Sequence, residues 1–142
     1  MRKAHARDDP GMTLKLLIVD DSELVRNRLL GLLADVCGIA DIATADTLTR
    51  ALEHVQSDAP SLLVLDLHLP DGNAARVIPD FKRLAPGLRI AVLTNDPNKF
   101  NRNVCVLAGA DWFFDKSTEF PQLIALVQQQ AAQQSIPNGA SA

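Results

Sequence analysis

The segment Leu62-Leu63-Val64-Leu65-Asp66 constrains this chain more than any other, because four aliphatic residues run without a polar break into a carboxylate. A half-buried helix would interrupt such a run every three or four positions, and a half-buried strand every second one. A short run that is apolar on both faces suits a strand covered by helices on both sides, as in parallel sheets. With Ser61 it predicts a strand over 61–66. Four more strands are predicted over 16–20, 41–45, 89–94 and 111–114.

Segments of helical period separate them. Ser22 can cap the first helix, in which Val25, Leu29, Leu32, Leu33 and Val36 share a face, and Gly38 ends it. The second carries Leu48, Ala51, Leu52 and Val55 until Asp58 and Pro60 break it. Ala74, Val77, Ile78, Phe81 and Leu84 mark the third, which stops at Pro86-Gly87. A more polar helix over 98–108 ends at Gly109, with 96–103 expected to be short or mobile. The last runs over 119–134 on Leu123, Leu126 and Val127. Pro121 is tolerated in its first turn, where an amide lacks an intrahelical partner anyway. Five strands alternating with five helices imply a doubly wound α/β fold with right-handed crossovers.

A length of 142 residues suits one core. The expected division is a flexible leader at 1–13, a folded unit over 14–134 and a disordered tail at 135–142. The net charge of -3 gives no electrostatic basis for direct nucleic-acid binding. No apolar run approaches the ~20 residues of a spanning helix, so no membrane association is expected. The leader holds Arg2, Lys3 and Arg7 without the apolar stretch of a secretory signal. Cys37 and Cys105 fit no metal spacing and are expected to be small core or semi-buried residues in a reducing compartment, which implies the cytoplasm.

Sites in open α/β sheets form beyond the carboxyl ends of the strands. Those ends carry Asp20 and Asp21 after the first strand, Asp66 after the third and Thr94 after the fourth, with Lys116 just past the fifth. Neighbouring carboxylates repel and raise one another's pKa unless a cation joins them. Mg2+ favours oxygen ligands, takes one or two carboxylates and leaves positions for phosphoryl oxygens. Thr94 can donate a hydrogen bond to a phosphoryl group and Lys116 can supply a point charge. Each of these residues alone has a bland reading as a cap, a turn or a surface group. Their joint position at the strand ends favours a phosphoryl-transfer site.

The Leu-Ile-Val-Asp-Asp-Ser run ending at Ser22, the Leu-Asp-Leu-His-Leu-Pro-Asp-Gly run ending at Gly72, Leu93-Thr94, and Gly109-Ala110-Asp111 leading to Lys116 resemble the receiver domain of bacterial response regulators. The resemblance covers residues 14–134. It implies a flavodoxin-like sheet of five parallel strands in the order 2-1-3-4-5. It also implies that Asp66 is the phosphoacceptor and that Asp20, Asp21, Asp66 and the His68 backbone carbonyl hold Mg2+. Thr94 and Phe113 resemble the family's switch pair, and His68 and Asn95 would border the approach to the acceptor. The implied donor is a histidine kinase or phosphotransfer protein.

Two positions depart from the family pattern, Ser117 after the lysine where proline is common and Asn95 after Thr94 where alanine or glycine is common, and the segment 96–103 is unusually polar for the family. Residues 117–142 suffice for one helix and a tail, so output is expected through a protein effector or output domain in trans, or one lost by truncation. Homodimerisation through the last helix–strand face is a further expectation. Two other functions fit less well. A haloacid-dehalogenase-type phosphatase needs a second carboxylate two residues after its aspartate nucleophile, where this chain has His68. A pseudo-receiver would bind partners without phosphorylation, although every acceptor residue is present.

Overall fold

The computed structural model describes residues 14–135. The expected leader at 1–13 and tail residues 136–142 lie outside the described residues. Five parallel strands form one sheet: β1 (Leu14–Val19), β2 (Ile39–Ala45), β3 (Leu62–Asp66), β4 (Arg89–Thr94) and β5 (Trp112–Asp115). Their order across the sheet is β2-β1-β3-β4-β5, the flavodoxin-like arrangement. Five helices connect or follow them: α1 (Glu23–Leu33), α2 (Leu48–Ser57), α3 (Ile78–Leu84), α4 (Lys99–Ala108) and α5 (Phe120–Ser135).

Alternate residues of the strands feed two separate cores. Leu17, Val19, Leu63, Leu65, Ile90 and Val92 pack with Leu48, Ala51 and Val55 of α2, Ile78 and Phe81 of α3, and Cys105 of α4. Leu16, Ile18, Leu62, Val64, Ala91 and Leu93 pack with Leu29 and Leu33 of α1 and Leu123, Leu126 and Val127 of α5. Each buried aliphatic side chain contributes about 1.5–3 kcal/mol. The two cores together explain why β3 tolerates no polar residue before Asp66.

The helix starts are fixed by local chemistry. Ser22, Thr47 and Asn98 accept hydrogen bonds from the amides of Val25, Arg50 and Asn101, three residues on in each case. The start of α5 is fixed by a reciprocal pair, in which the Asp115 amide donates to Glu119 Oε1 and the Glu119 amide to the Asp115 carbonyl. Gly109 ends α4 at φ +121, a conformation that side chains disfavour.

Several expectations need correction. The third helical segment divides into a 3-10 turn (Ala74–Arg76) and α3, because Asn73 accepts from the Ala75 amide and starts a tight turn first. Residues 67–73 are not a plain loop: His68–Leu69 and Gly72–Asn73 pair as a small antiparallel ribbon. The polar segment after β4 forms a complete ten-residue α4, whose Phe100, Val106 and Leu107 are exposed. Leu32 and Leu84 face outward despite their helical spacing. Cys37 is exposed in the turn after α1, and only Cys105 is buried.

Candidate phosphoryl-acceptor site

β1, β3 and β4 end at the same rim because they run parallel and in register: Val19 pairs with Leu65, and Asp66 with Leu93. That register brings Asp20, Asp21 and Asp66 together, with one carboxylate oxygen from each lying within 4.8 Å of the others. Asp20 and Asp66 are buried, whereas Asp21 is exposed. The Asp20 loop is tied down from two sides. Its Oδ1 accepts from the Ser22 amide at 2.9 Å, and its carbonyl accepts from Arg26 Nη1 at 2.7 Å.

Lys116 enters this group from beyond β5. Its amide donates to the Thr94 carbonyl at 2.7 Å, which sets the direction of the residue. Its Nζ then lies 2.8 Å from Asp20 Oδ2 and 3.1 Å from Asp66 Oδ2, with side-chain exposures of 11%, 1% and 7% for Lys116, Asp20 and Asp66. The contact with Asp20 Oδ2 is the closer of the two.

Burial pushes the Asp66 carboxyl above its ordinary pKa of 3.8, and the neighbouring Asp20 charge pushes the same way. Lys116 and the His68 amide oppose them without prevailing. Burial also works to lower the Lys116 pKa, but close contact with Asp20 and attraction to Asp66 outweigh it and raise the pKa above 10.5. One ammonium therefore serves two buried carboxylates. A site with three carboxylates against one ammonium, and one hard oxygen donor from each acid within 4.8 Å of the others, fits a divalent ion of the magnesium or calcium kind.

Thr94 is fully buried at the end of β4, and its Oγ1 accepts from the Asp96 amide at 2.9 Å. Phe113 lies one strand over, paired with Val92 and turned inward, with the Arg102 guanidinium 4.9 Å from its ring centre. His68 and Asn95 are exposed on the rim. Asn95 Oδ1 accepts from Ser117 Oγ at 3.4 Å, so the two departures from the family pattern meet each other. The exposed Asp96 places Oδ2 3.8 Å from His68 Nε2.

Asp96, Arg26 and Arg102 also touch residues of the site. Only Asp96 has a sequence signal, being an acid two residues beyond a strand-end Thr. Arg26 and Arg102 become visible only once helices and sheet are packed. Among the described residues no helix is long and apolar enough to cross a membrane.

Comparison with known proteins agrees with this geometry. The response regulator receiver domain family matches residues 16–128. The DNA-binding transcriptional activator DevR/DosR of Mycobacterium tuberculosis is 30% identical over 123 residues, which span 87% of this chain and 57% of that protein. The chemotaxis protein CheY of Halobacterium salinarum is 28% identical over 113 residues, 80% of this chain and 92% of its own length. Thus the chain spans little more than half of the first relative and nearly all of the second. A solved response regulator from Burkholderia pseudomallei, described with a phosphorylated aspartic acid, calcium ion and citrate, superposes with a TM-score of 0.73 at 26% identity. That match covers 85% of this chain and 70% of the other. With sheet order, strand-end acids and family match in agreement, the chain belongs to the response regulator receiver domains of two-component signalling systems.

Proposed function

We propose that this chain accepts a phosphoryl group on Asp66 from a phosphohistidine of a histidine kinase or phosphotransfer protein. The observation that carries this reading is the buried Asp66 carboxylate, held between Asp20 and the Lys116 ammonium at the carboxyl end of β3. An Asp66 oxygen forms the new P–O bond while the donor's P–N bond breaks, and the leaving imidazole takes up a proton. Asp20, Asp21, Asp66 and the His68 carbonyl would hold Mg2+, which neutralises phosphoryl charge when bound. Lys116 exchanges one of its carboxylate contacts for a phosphoryl oxygen. The Thr94 hydroxyl, which accepts from the Asp96 amide, keeps its proton free to donate to another phosphoryl oxygen.

Asp66 is an acceptor whose phosphorylated form alters binding, not a turnover catalyst. Thr94 and Phe113 form the switch pair, and the altered surface is read by a protein effector or an output domain in trans, in the cytoplasm. Residues 14–134 suffice for the acceptor chemistry. Incubation with acetyl phosphate and magnesium should add one phosphoryl group by mass, and Asp66→Ala should abolish the adduct. An adduct forming on Asp66→Ala at the wild-type rate, or no adduct on the wild type, refutes the reading.

A further inference from the structure

The turn that carries His68 is fastened from outside the site. Asp71 Oδ1 accepts from the Leu48 amide at 2.8 Å, and Oδ2 accepts from the Thr49 amide and hydroxyl at 3.0 Å each. These are the first residues of α2, a helix that already has its own cap in Thr47. Thr47 satisfies the Arg50 amide, so Asp71 takes the two remaining outer amides of that first turn. The amides of Leu48 and Thr49 hold the Asp71 carboxyl below its ordinary pKa, as expected of a carboxylate at a helix start.

The next residue adds a second fastening. Gly72 has φ +147, and a β-carbon there would meet Leu48 Cδ1 at 3.4 Å, so the turn lies against the buried Leu48 side chain. Between these points and Asp66 the chain is held by the ribbon pairing His68 with Asn73 and Leu69 with Gly72, by the Ala74 amide donating to the Leu67 carbonyl at 2.8 Å, and by the buried Leu67 and Leu69 side chains. Two residues per strand cannot hold a ribbon in water unaided. The near side of the turn is anchored at Leu67 and the far side at Asp71 and Gly72, so the contact with α2 sets one of the two supports of the His68 peptide.

We propose that Asp71 is a positioning residue of the divalent-ion site, setting through its bonds to the α2 amides where the turn presents the His68 carbonyl. This rests on the metal ligation given under Proposed function. The test is calorimetric titration of magnesium into the full chain as wild type, Asp71→Ala, Asp71→Asn and Thr47→Ala, with urea stability measured for each. Thr47→Ala removes a cap from the same helix without touching the turn. Asp71→Ala should weaken magnesium binding by about tenfold, the usual scale for a group that orients a ligand. Asp71→Asn should recover part of that loss, because its amide oxygen can still accept one of the bonds. Thr47→Ala should lose stability with its magnesium affinity unchanged.

Wild-type affinity in Asp71→Ala, or an equal loss in Thr47→Ala, overturns the proposal. If Asp71→Ala does not fold, Asp71→Asn decides: unchanged affinity overturns the proposal and weakened affinity supports it. A wild-type chain that takes up no magnesium overturns the metal reading itself and this inference with it.

Discussion

Replacing Lys116 by methionine should destabilise the metal-free protein severely and change how its stability depends on pH. The ammonium lies 2.8 Å from Asp20 Oδ2 and 3.1 Å from Asp66 Oδ2. At an effective dielectric near 20, each contact represents about 5–6 kcal/mol of gross attraction. Desolvation of the lysine offsets several kcal/mol of that sum, and removing one partner of a buried ion pair leaves a net loss of about 3–5 kcal/mol. For a domain of this size the loss corresponds to a fall in Tm of roughly 10–20 °C.

The loss has a ceiling, because one carboxyl can escape by taking up a proton. Burial and Asp20 already hold the Asp66 pKa above 3.8 with Lys116 present, and its removal pushes that pKa higher. A carboxyl whose folded pKa is raised costs nothing below its unfolded value and destabilises progressively as pH rises through the folded value. Lys116 has a raised pKa, so its contribution is full below 10.5 and is lost only above the raised value in strong alkali. The difference between wild type and Lys116→Met should therefore grow from pH 4 to neutrality and then level off. Urea melts in EDTA across that range measure it. Magnesium should return a larger share of stability to Lys116→Met than to wild type, since the ion supplies the missing charge. Equal stability in EDTA at neutral pH, or a constant difference across the range, would refute the buried ion-pair account.

Asp66→Asn should stabilise the metal-free protein at neutral pH, because each unit by which its folded pKa exceeds the unfolded one costs about 1.4 kcal/mol. A lower urea midpoint in EDTA would contradict this. Asn95→Ala should speed both loading from acetyl phosphate and loss of the phosphoryl group; a tenfold change needs only ~1.4 kcal/mol in the barrier. Unchanged rates would mean that Asn95, held against Ser117, does not border the approach. Asp111, at the opposite end of the sheet, accepts from the Ile90 amide at 2.8 Å and Lys82 Nζ at 2.9 Å. Asp111→Ala should cost about 1–2 kcal/mol and leave magnesium affinity unchanged. Burial works to raise the Asp111 pKa but is outweighed by Lys82, the Ile90 amide and Arg89, so the net shift is downward. Its contribution should hold above pH 3.8 and vanish as pH falls through the lower folded value.

The fold was legible because a sheet covered on both faces leaves no freedom in composition. β3 had to be apolar throughout, and its first polar residue had to lie at the rim. The same logic puts Asp20 and Thr94 at the rim, with Lys116 just beyond the fifth strand. The electrostatics were not legible. Three repelling acids could be read from the chain, but the ammonium standing between two of them depends on the Lys116 amide bonding to the Thr94 carbonyl across strands. Nothing local to Asp71 indicates that its carboxylate reaches the start of α2. Cys37 and Leu32 were misjudged for a related reason: hydrophobic character and spacing show what can be buried, and only packing decides what is. The polarity of 96–103 pointed to a weak helix, yet Asn98 capping outweighs a modest deficit of apolar residues.

The sheet order also governs how the chain must fold. β1 is first in sequence but second in the sheet, so its central edge stays unpaired until Leu16 meets Leu62 of β3, across all of α1, β2 and α2. Every other pairing in the five-stranded sheet joins strands consecutive in that sheet's chain order, and the entropy of closing a loop rises with its length. The β1–β3 pairing is thus the step most costly to reach and the one most usefully formed at the barrier. Truncations at Ile18 or Val64 should slow refolding, whereas truncations at Leu126 or Val127 of α5 should mainly hasten unfolding. A receiver emerging from the ribosome would then have its first strand exposed on one side until β3 is made, and the hydrophobic run of β3 would close the β2-β1-β3 half of the sheet before Thr94 and Lys116 join the acceptor rim.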